Sequence, residues 1–556
     1  MPHAIQMPSP GFQALILCGP GVSLNTFCSN PEEFPKALVP IANRPMVWYA
    51  LDWCYRMGIT SIHLITPPEA APALQTALSQ NPHLTSLPLP KPTVLSPPSL
   101  GLTTGTASLL RIPEIASTIT SDFLVLPCDL ITTISPTSLL ETWLIHCSGL
   151  GGATGGSASQ PGPKMALGGE KTGRRGGLGV WYPTKDVEGA IKKEETDFVA
   201  TTPLPPPTST PPSGSLRPHL AKIVTSMPTD TFNDKIELSH TYPVRRSLPK
   251  HGRVKYLHTY RDAHIYFLPH WVLEFVQRNP EFENISEDVI GWWAKATWQN
   301  DKLAQKLHLR EILETKTTPD KYETYSEPIA EDEIDLASLS TTHPTTTTTG
   351  TTTTEAASPI PPILGYLPPP PSTPPSTTTH EPLSEIPQLL HRVDSTPLLL
   401  SLSLTLAKLP PSSHPLSHPS KLTTPSTIHP HTTITTTDVL LDSNVIVSEH
   451  CIIKSSVVGS SSSLLASSRL TRCLLMEAVE VGERATLTGC ILGRRCRIGK
   501  GSRLTECEVQ EGYVVPDGTE AKGEKFMASE FLQEEGDGGV GSGGEGEGLD
   551  LSADYD

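Results

Sequence analysis

The sequence predicts a doubly wound α/β domain followed by a left-handed β-helix, with a long unstructured segment between them. Three observations lead to this prediction. Short apolar runs alternate with helical stretches in the first 147 residues, aliphatic residues recur every six positions in residues 438–526, and a Thr/Pro/Ser-rich stretch separates the two. Alternating strands and helices are typical of parallel α/β sheets, and a sustained six-residue period is typical of a β-helix.

In the first domain, three apolar runs predict buried parallel strands: Ala14–Gly19, Ser61–Thr66 and Asp122–Asp129. Between the first two, Met46–Met57 carries apolar residues at helical spacing. Because strands that alternate with helices form βαβ units, the region predicts a mostly parallel sheet covered by helices.

Composition sets the predicted boundaries. The α/β domain takes residues 1–314, with Gly- and Pro-rich insertions near 148–175 and 200–216 that we expect to be disordered. Residues 315–437 predict a disordered linker, because Thr, Pro and Ser bury too little apolar surface to offset the entropy lost on folding. Residues 438–526 predict the β-helix, and residues 527–556 an acidic, disordered tail.

The six-residue rows define the predicted coil. One row starts at Ile446 and Ile452 and continues through Val458, and a second starts at Val439. We expect each row to point into the coil, since a β-helix turns one aliphatic residue inward on each side. Glycines such as Gly459 and Gly499 are expected at corners that need permissive dihedral angles.

Charge and hydropathy restrict the partners. The chain has 42 Lys and Arg against 58 Asp and Glu, a formal net charge of -16, which disfavours direct binding of nucleic acid. The apolar stretch Pro397–Leu409 is too short to cross a bilayer, and the N-terminus has no basic region followed by an apolar run. We therefore expect a cytosolic protein with protein or small-molecule partners and no membrane association.

A Gly-rich loop follows the first predicted strand. Gly19 and Gly21 lie in the stretch Leu17–Phe27, and Lys36 follows in a PKALVPI segment. A loop of this kind lets backbone N–H groups approach a phosphate, and a nearby lysine can neutralise a phosphoryl group. Together the two segments resemble the signature of sugar-1-phosphate nucleotidyltransferases, so the first domain is expected to be nucleotidyltransferase-like.

Two more segments agree with that resemblance. Gly105 and Thr106 begin a GTASLL stretch similar to the family segment that packs against the nucleotide base, and Asp129 ends a strand similar to the one whose aspartate holds magnesium. The resemblance implies a vestigial nucleotide pocket at these positions. Taken alone, Asp129 is more safely interpreted as a cap on the following turn.

Departures from the family pattern predict that the chemistry is lost. Ser23 stands where the family has its catalytic arginine, and serine cannot neutralise a triphosphate. The sugar-binding segment reads Asp262-Ala263-His264, with histidine in place of glycine, and no second metal-binding aspartate is recognisable. We therefore expect no catalytic residues, no bound metal and no cofactor. His264 itself is expected to be a core histidine with its hydrogen bonds satisfied.

A more specific resemblance covers the end of the first domain and the repeats. Arg261–Val276, Ser286–Gln299 and Cys507–Phe526 are similar to gamma subunits of eukaryotic translation initiation factor 2B. This resemblance covers the first domain and the repeats but does not extend to the predicted linker and tail. The candidate family-specific interface or core residues are Asp262, His264, Glu287, Asp288, Trp292 and Trp293. Helical spacing places Trp293 and Trp298 on one face and Trp292 on the other, which suits either an interface or a packed junction.

The resemblance implies a function in a complex. Initiation factor 2B exchanges GDP for GTP on initiation factor 2, a G protein. A gamma-type chain would pair with the epsilon subunit, join the other subunits and help bind initiation factor 2, without catalysis. In epsilon, exchange activity resides in a C-terminal helical domain, and this sequence ends in a Gly-rich tail without helical periodicity.

Three other functions remain open from the sequence. An active nucleotidyltransferase of the mannose-1-phosphate guanylyltransferase type would need a cation near Ser23. A hexapeptide acyltransferase would need a histidine at a coil interface, and His450, near the first turn, is the sole histidine in the repeats. A scaffold without any nucleotide role would differ mainly in its partner.

Overall fold

The fold is taken from a computed structural model. The described residues are 11–101, 103–146, 175–185, 189–191, 194–204, 210–212, 214–240, 253–299, 301–313, 360–369 and 389–527.

A nine-stranded mixed sheet forms the centre of the first domain. Its strand order is β5-β4-β1-β6-β11-β8-β12-β10-β9, and β5, β4, β1 and β6 run parallel. The other half is mainly antiparallel, so the predicted parallel sheet accounts for half of it. The strands are β1 Gln13–Leu17, β4 Ser61–Ile65, β5 Thr93–Leu95, β6 Phe123–Pro127, β8 Gly177–Pro183, β9 Asp197–Pro203, β10 Leu220–Pro228, β11 Lys255–Leu268 and β12 Ile363–Tyr366. Two short pairs lie beside it: β2 Pro40–Ile41 with β3 Arg44–Pro45, and β7 Leu130–Thr132 with β13 Leu390–Arg392.

Apolar cores cover both faces of this sheet, which confirms the doubly wound class. Along β6, Leu124 and Leu126 join one core, whereas Phe123 and Val125 join the other. This alternation arises because successive strand residues point to opposite faces. The helices are α1 Met46–Met57, α2 Ala71–Gln80, α3 Pro82–Thr85, α4 Thr106–Leu109, α5 Pro113–Ala116, α6 Pro136–His146, α7 Thr229–Ser239, α8 Trp271–Arg278, α9 Ile290–Ala296, α10 Asp301–Lys306, α11 Leu309–Leu313 and α12 Thr396–Lys408. A π-helical turn, Ile285–Val289, leads into α9.

The predicted linker, 315–437, is wrong within residues 360–369 and 389–437, which contain strands and a helix. Strand β12 lies inside the central sheet between β8 and β10, β13 pairs with β7, and α12 buries Leu398, Leu399 and Leu402. The composition of the whole stretch, averaged over more than a hundred residues, hid two short apolar runs that can form a strand and a helix. Within the described residues, no helix is long and apolar enough to cross a membrane.

Parts of the other predicted disordered segments fall outside the described residues. These parts are 148–174 of the first insertion, 205–209 and 213 of the second, and 528–556 of the tail. The insertion near 200–216 was placed too early, because its first residues complete strand β9, with Thr201 and Thr202 buried. Threonine is common in strands, so the two threonines that follow the apolar run fit a strand as well as a loop.

The repeats form the predicted β-helix, and its three sides are parallel sheets of six strands each. It begins earlier than expected, at Thr427 rather than 438, and the handedness of the coil stays a prediction. The strands are β14 Thr427–Ile428, β15 Thr433–Ile434, β16 Leu440–Leu441, β17 Ile446–Val447, β18 Ile452–Lys454, β19 Val457–Val458, β20 Ser463–Leu464, β21 Arg469–Thr471, β22 Leu474–Leu475, β23 Glu480–Val481, β24 Thr486–Thr488, β25 Ile491–Leu492, β26 Arg497–Ile498, β27 Arg503–Thr505, β28 Glu508–Val509, β29 Val514–Val515, β30 Glu520–Lys522 and β31 Lys525–Phe526.

The step of six is not constant around the coil. Leu441 pairs with Val458, and Val458 with Leu475, so one complete coil takes 17 residues and one side is a residue shorter. The predicted row is therefore wrong at its start: Ile446 is 50% exposed, and Val447 fills the interior instead.

Glycines in the coil serve a different purpose from the one expected. A Cβ at Gly459 would lie 2.7 Å from the backbone of Met476, and one at Gly499 would lie 2.5 Å from the backbone of Asp517. Real Cβ contacts are not this short. These glycines allow neighbouring coils to approach each other, whereas the left-handed corners are taken by others, such as Asn444 at φ 57° and Gly501 at φ 70°.

One sheet of the β-helix packs against the first domain. The outward residues of this sheet, Leu440, Val457, Leu474 and Ile491, are buried in the same core as α1 and α12. The segment that connects α12 to β14, residues 409–426, is held by polar contacts. Arg44 donates hydrogen bonds to the carbonyl oxygens of Leu416 and Ser417 in this segment, at 2.9 and 3.0 Å. The two domains therefore share an apolar core.

We expect His418, in this segment, to make stability depend on pH. Its Nε2 lies 2.7 Å from the carbonyl oxygen of Ala42, and burial, together with nearby Arg44, lowers its pKa to about 3. The folded state thus excludes the proton, so stability is complete above pH 6.5 and falls as pH drops toward 3, with a limiting slope of about 1.4 kcal/mol per pH unit. Urea unfolding between pH 7 and 4.5 should show a steeper loss for the wild type than for His418→Gln. The exposed His429 is the matched control: His429→Gln should follow the wild type, and equal slopes for all three proteins would contradict the prediction.

Candidate functional site

The site lies at the carboxyl ends of β1 and β6, where open α/β sheets bind their ligands. The Gly-rich loop follows β1, and Asp129 follows β6. Gly21 has φ 80°, and a Cβ there would come within 2.8 Å of the Cβ of Lys36, so the loop packs directly on this lysine. Ser23 is exposed in a 3-10 turn, Val22–Leu24, and no lysine or arginine occurs in Leu17–Phe27.

Two cations engage Asp129. Lys36 Nζ lies 2.6 Å from Asp129 Oδ2, and Arg392 Nε lies 3.6 Å from Oδ1, while the carboxylate itself is 2% exposed. Burial alone would raise the pKa of Asp129, but the attraction of Lys36 and Arg392 outweighs it and holds this pKa well below its usual range. For Lys36, the attraction of Asp129 likewise outweighs burial and raises the pKa. The carboxylate is ionised and already paired.

Arg261 forms a second ion-pair cluster. It pairs with Asp394, and with Glu194 at 3.3 Å. Its position on β11 brings it to Glu194, whereas Asp394 lies just after β13. One short segment therefore supplies both Arg392, which engages Asp129, and Asp394, which pairs with Arg261. Both residues were missed from the sequence because they lie in the stretch assigned to the linker; the opposite charges of Arg392 and Asp394, two positions apart, were the available signal.

Asp262 and His264 lie at a bulge in β11, between its pairings with β8. Asp262 accepts hydrogen bonds from the backbone N–H of His264 at 2.8 Å and from the hydroxyl of Tyr266. Burial and the neighbouring Asp197 raise the pKa of Asp262 to about 7. Both of its carboxylate oxygens therefore have partners within the protein.

His264 adopts φ 57°, a backbone conformation that favours glycine and costs other residues roughly 1–2 kcal/mol. Burial, with nearby Arg392, lowers its pKa to about 3, so the ring is neutral. Its Nε2 is buried without a protein hydrogen-bond partner among the described residues, and the expectation of a satisfied histidine stays a prediction. The bulge turns the ring into a cavity rather than into the packed core.

That cavity has a volume of about 340 Å³ and is predominantly acidic. Arg261 and Arg392 are its lining arginines, and both are paired with carboxylates. The lining residues that carry carboxylates are Glu194, Glu195, Asp197, Asp230 and Asp262. An excess of carboxylates repels phosphate groups, so the cavity is poorly suited to a nucleotide.

Gly105 and Thr106 pack against another part of the chain. A Cβ at Gly105 would lie 2.3 Å from the carbonyl oxygen of Glu283, and the Thr106 hydroxyl accepts a hydrogen bond from the backbone N–H of Ile285 at 2.9 Å. Asp288, in the same π-helical turn, accepts the backbone N–H groups of Glu283 and Asn284. These residues hold the start of α9 in place, and a nucleotide-binding role for Gly105 and Thr106 stays a prediction.

The two adjacent tryptophans divide as the helical spacing indicates. Trp293 is fully buried, and its Nε1 donates to the carbonyl oxygen of Pro361 at 2.8 Å. Trp292 is 37% exposed, with Lys295 Nζ 4.5 Å from its ring centroid. Glu287 pairs at 3.6 Å with the half-exposed Lys235. Trp293 is thus a core residue, whereas Trp292 and Glu287 lie at the surface.

Comparison with known proteins finds the following similarities. Residues 424–530 match the model of a family described as the GMPPB C-terminal domain. The chain is also 24% identical, over 331 residues, to translation initiation factor eIF2B subunit gamma of Schizosaccharomyces pombe. That match covers 59% of this chain, which spans 60% of the length of the relative. The match to the gamma subunit supports a relationship with the eIF2B gamma family, and the match of residues 424–530 agrees with the β-helix.

Proposed function

We propose that the chain is a non-catalytic, gamma-type subunit of an initiation factor 2B complex, which exchanges GDP for GTP on initiation factor 2. Similarity to the fission yeast gamma subunit supports the role in translation initiation. The single observation that argues for a non-catalytic role is the pairing of Lys36 with Asp129, because it engages the loop's lysine and the candidate metal-binding carboxylate in one internal contact.

Phosphoryl and nucleotidyl transfer depend on cations placed at the phosphates. Ser23 supplies no charge, Lys36 is paired at 2.6 Å, and the arginines beside the cavity are held by carboxylates. Turnover would require these pairs to break in the buried interior. The geometry therefore favours binding or assembly over catalysis.

Within the proposed complex, the chain pairs with the epsilon subunit through both domains and contributes to binding initiation factor 2 in the cytosol. Exchange proceeds because the factor binds the nucleotide-free G protein more tightly than the nucleotide-bound form. A subunit can supply part of that binding energy without any catalytic residue. In such a subunit, the shared apolar core joins the β-helix to the first domain.

Affinity purification tests the proposed complex. The chain is tagged in its native cells and purified gently, and the associated proteins are identified by mass spectrometry. We expect a larger paralogue that carries a helical C-terminal domain, the other subunits, and initiation factor 2 in a smaller amount. Recovery of the chain alone would contradict the proposal.

The second candidate function is a sugar-1-phosphate nucleotidyltransferase of the mannose-1-phosphate guanylyltransferase type. The match of residues 424–530 to the GMPPB C-terminal domain favours it. Incubation of the purified chain with GTP, mannose 1-phosphate and Mg²⁺ distinguishes the two, with pyrophosphate release as the readout. We expect no release above a protein-free control, and release that Asp129→Asn abolishes would support the enzyme instead.

A further inference from the structure

The position of Asp129 raises the question of what cation it holds. In the nucleotidyltransferases that the first domain resembles, the corresponding aspartate holds magnesium. Here the carboxylate has Lys36 Nζ at 2.6 Å and Arg392 Nε at 3.6 Å. A divalent ion would have to displace a lysine whose side chain is only 11% exposed and whose stem packs against Gly21.

The neighbouring donors do not complete a metal site either. Asp262 has both oxygens occupied, by the His264 N–H and the Tyr266 hydroxyl, and Arg261 brings positive charge close to Asp129. Among the described residues, no group of three or more His, Cys, Asp or Glu side chains could hold a metal ion. A divalent ion binds best where carboxylate, carbonyl and water oxygens converge, and here cations converge instead. The residues do not fit the magnesium that the resemblance implies.

The Arg392-bearing segment also reaches the second domain. From Arg392 the chain continues to Thr396, whose hydroxyl donates to Glu508 Oε1 at 2.5 Å. Glu508 Oε2 accepts from the Thr26 hydroxyl at 3.2 Å, and it pairs with Lys525. One carboxylate of the β-helix therefore holds both the Gly-rich loop and the segment that supplies Arg392.

We infer that Arg392 is the resident cation beside Asp129, where it stands in place of a divalent metal. Lys36, Asp129 and Arg392 then form a metal-free junction between three parts of the chain. Asp129 links the end of β6 to the Gly-rich loop through Lys36, and to the β13 segment through Arg392. Glu508 then fixes both of these segments to the β-helix. This inference is independent of the proposed function, since a subunit of an exchange factor could still bind a metal.

Manganese binding tests the inference on the purified full chain. Mn²⁺ is titrated against the wild type and followed by its electron paramagnetic resonance signal, which decreases when the ion binds. We expect no stoichiometric site up to millimolar Mn²⁺, and no rise of the unfolding temperature on addition of Mg²⁺. A stoichiometric Mn²⁺ site that Asp129→Asn removes would overturn the inference. If Asp129→Asn does not fold, Lys36→Met/Asp129→Asn takes its place, since it removes both members of the 2.6 Å ion pair.

A matched pair of arginine variants tests the junction. Arg392→Gln should lower the unfolding temperature by several degrees, because it leaves Asp129 with one cation and releases the β13 segment. Arg503→Gln removes an exposed arginine that pairs with Glu520, and it should leave the unfolding temperature unchanged. Equal unfolding temperatures for Arg392→Gln and Arg503→Gln would overturn the inference. Neither readout involves a partner, so failure here is distinguishable from failure of the co-purification.

Discussion

Asp129→Asn should destabilise the first domain by about 3–5 kcal/mol at pH 7, because it leaves buried positive charge without its counter-ion. The lost partner sits between Lys36 and Arg392, and its side chain is 2% exposed. Asparagine keeps the shape and a hydrogen-bonding group but no charge. Urea unfolding followed by tryptophan fluorescence measures the difference.

The pH dependence of this stability difference follows from the direction in which the pKa of Asp129 is shifted. The pKa of Asp129 is depressed in the folded state, so the pair contributes fully above the unfolded value of about 3.9 and is lost only as pH falls below it. The difference between wild type and Asp129→Asn should therefore be the same at pH 7 and pH 5. A difference that vanished by pH 5 would contradict the ionised pair.

Two further variants control this prediction. Glu480→Gln breaks an ion pair with Arg497 at 3.1 Å in which both side chains are about half exposed or more, and it should cost no more than about 1 kcal/mol. Lys36→Met/Asp129→Asn removes the unpaired ammonium and should recover part of the stability lost in Asp129→Asn. Wild-type stability for Asp129→Asn itself would show that the pair is not a buried ion pair.

Trp293→Ala should cost about 3–5 kcal/mol, as the truncation of a large core aromatic does. The Trp293 ring lies edge-on to Trp271, with centroids 4.8 Å apart, and a Cβ at Gly177 would come within 2.6 Å of it. Its Nε1–H also satisfies the Pro361 carbonyl. The substitution leaves a cavity and an unpaired buried acceptor under the central sheet.

The adjacent Trp292 supplies the matched control in the same helix. It is 37% exposed and its ring lies against the Lys295 ammonium, so we expect Trp292→Ala to cost much less than Trp293→Ala, about 1 kcal/mol. Thermal or urea unfolding of the two variants side by side tests the assignment of faces. A larger loss for Trp292→Ala than for Trp293→Ala would contradict the packing described for α9.

The fold could be predicted where the sequence pattern is local. The helical spacing of α9 correctly placed Trp292 and Trp293 on different faces, and the apolar runs correctly located β1, β4 and β6. Where a pattern depends on distant pairing, prediction failed. Strand β12 joins the central sheet by pairing with β8 and β10, and its four residues alone carry no sign of that position.

The residues of the candidate site likewise fall into those that local motifs predicted and those that only distant pairing brings to the site. Asp129 and Lys36 were recognised because they lie in motifs near predicted strands, and the structure brings them together. Arg392 and Asp394 could not be placed, since only the pairing of β13 with β7 brings them to the pocket. The same applies to Glu508, which meets Thr26 across 482 positions of the sequence.

The proposed role in nucleotide exchange is tested most directly by GDP release from initiation factor 2. The complex is purified through a tag on this chain, and labelled GDP is followed on initiation factor 2 in the presence of excess unlabelled GTP. The account predicts that the complex accelerates GDP release. A complex that contains this chain as a stoichiometric component and leaves the rate of release unchanged would contradict it.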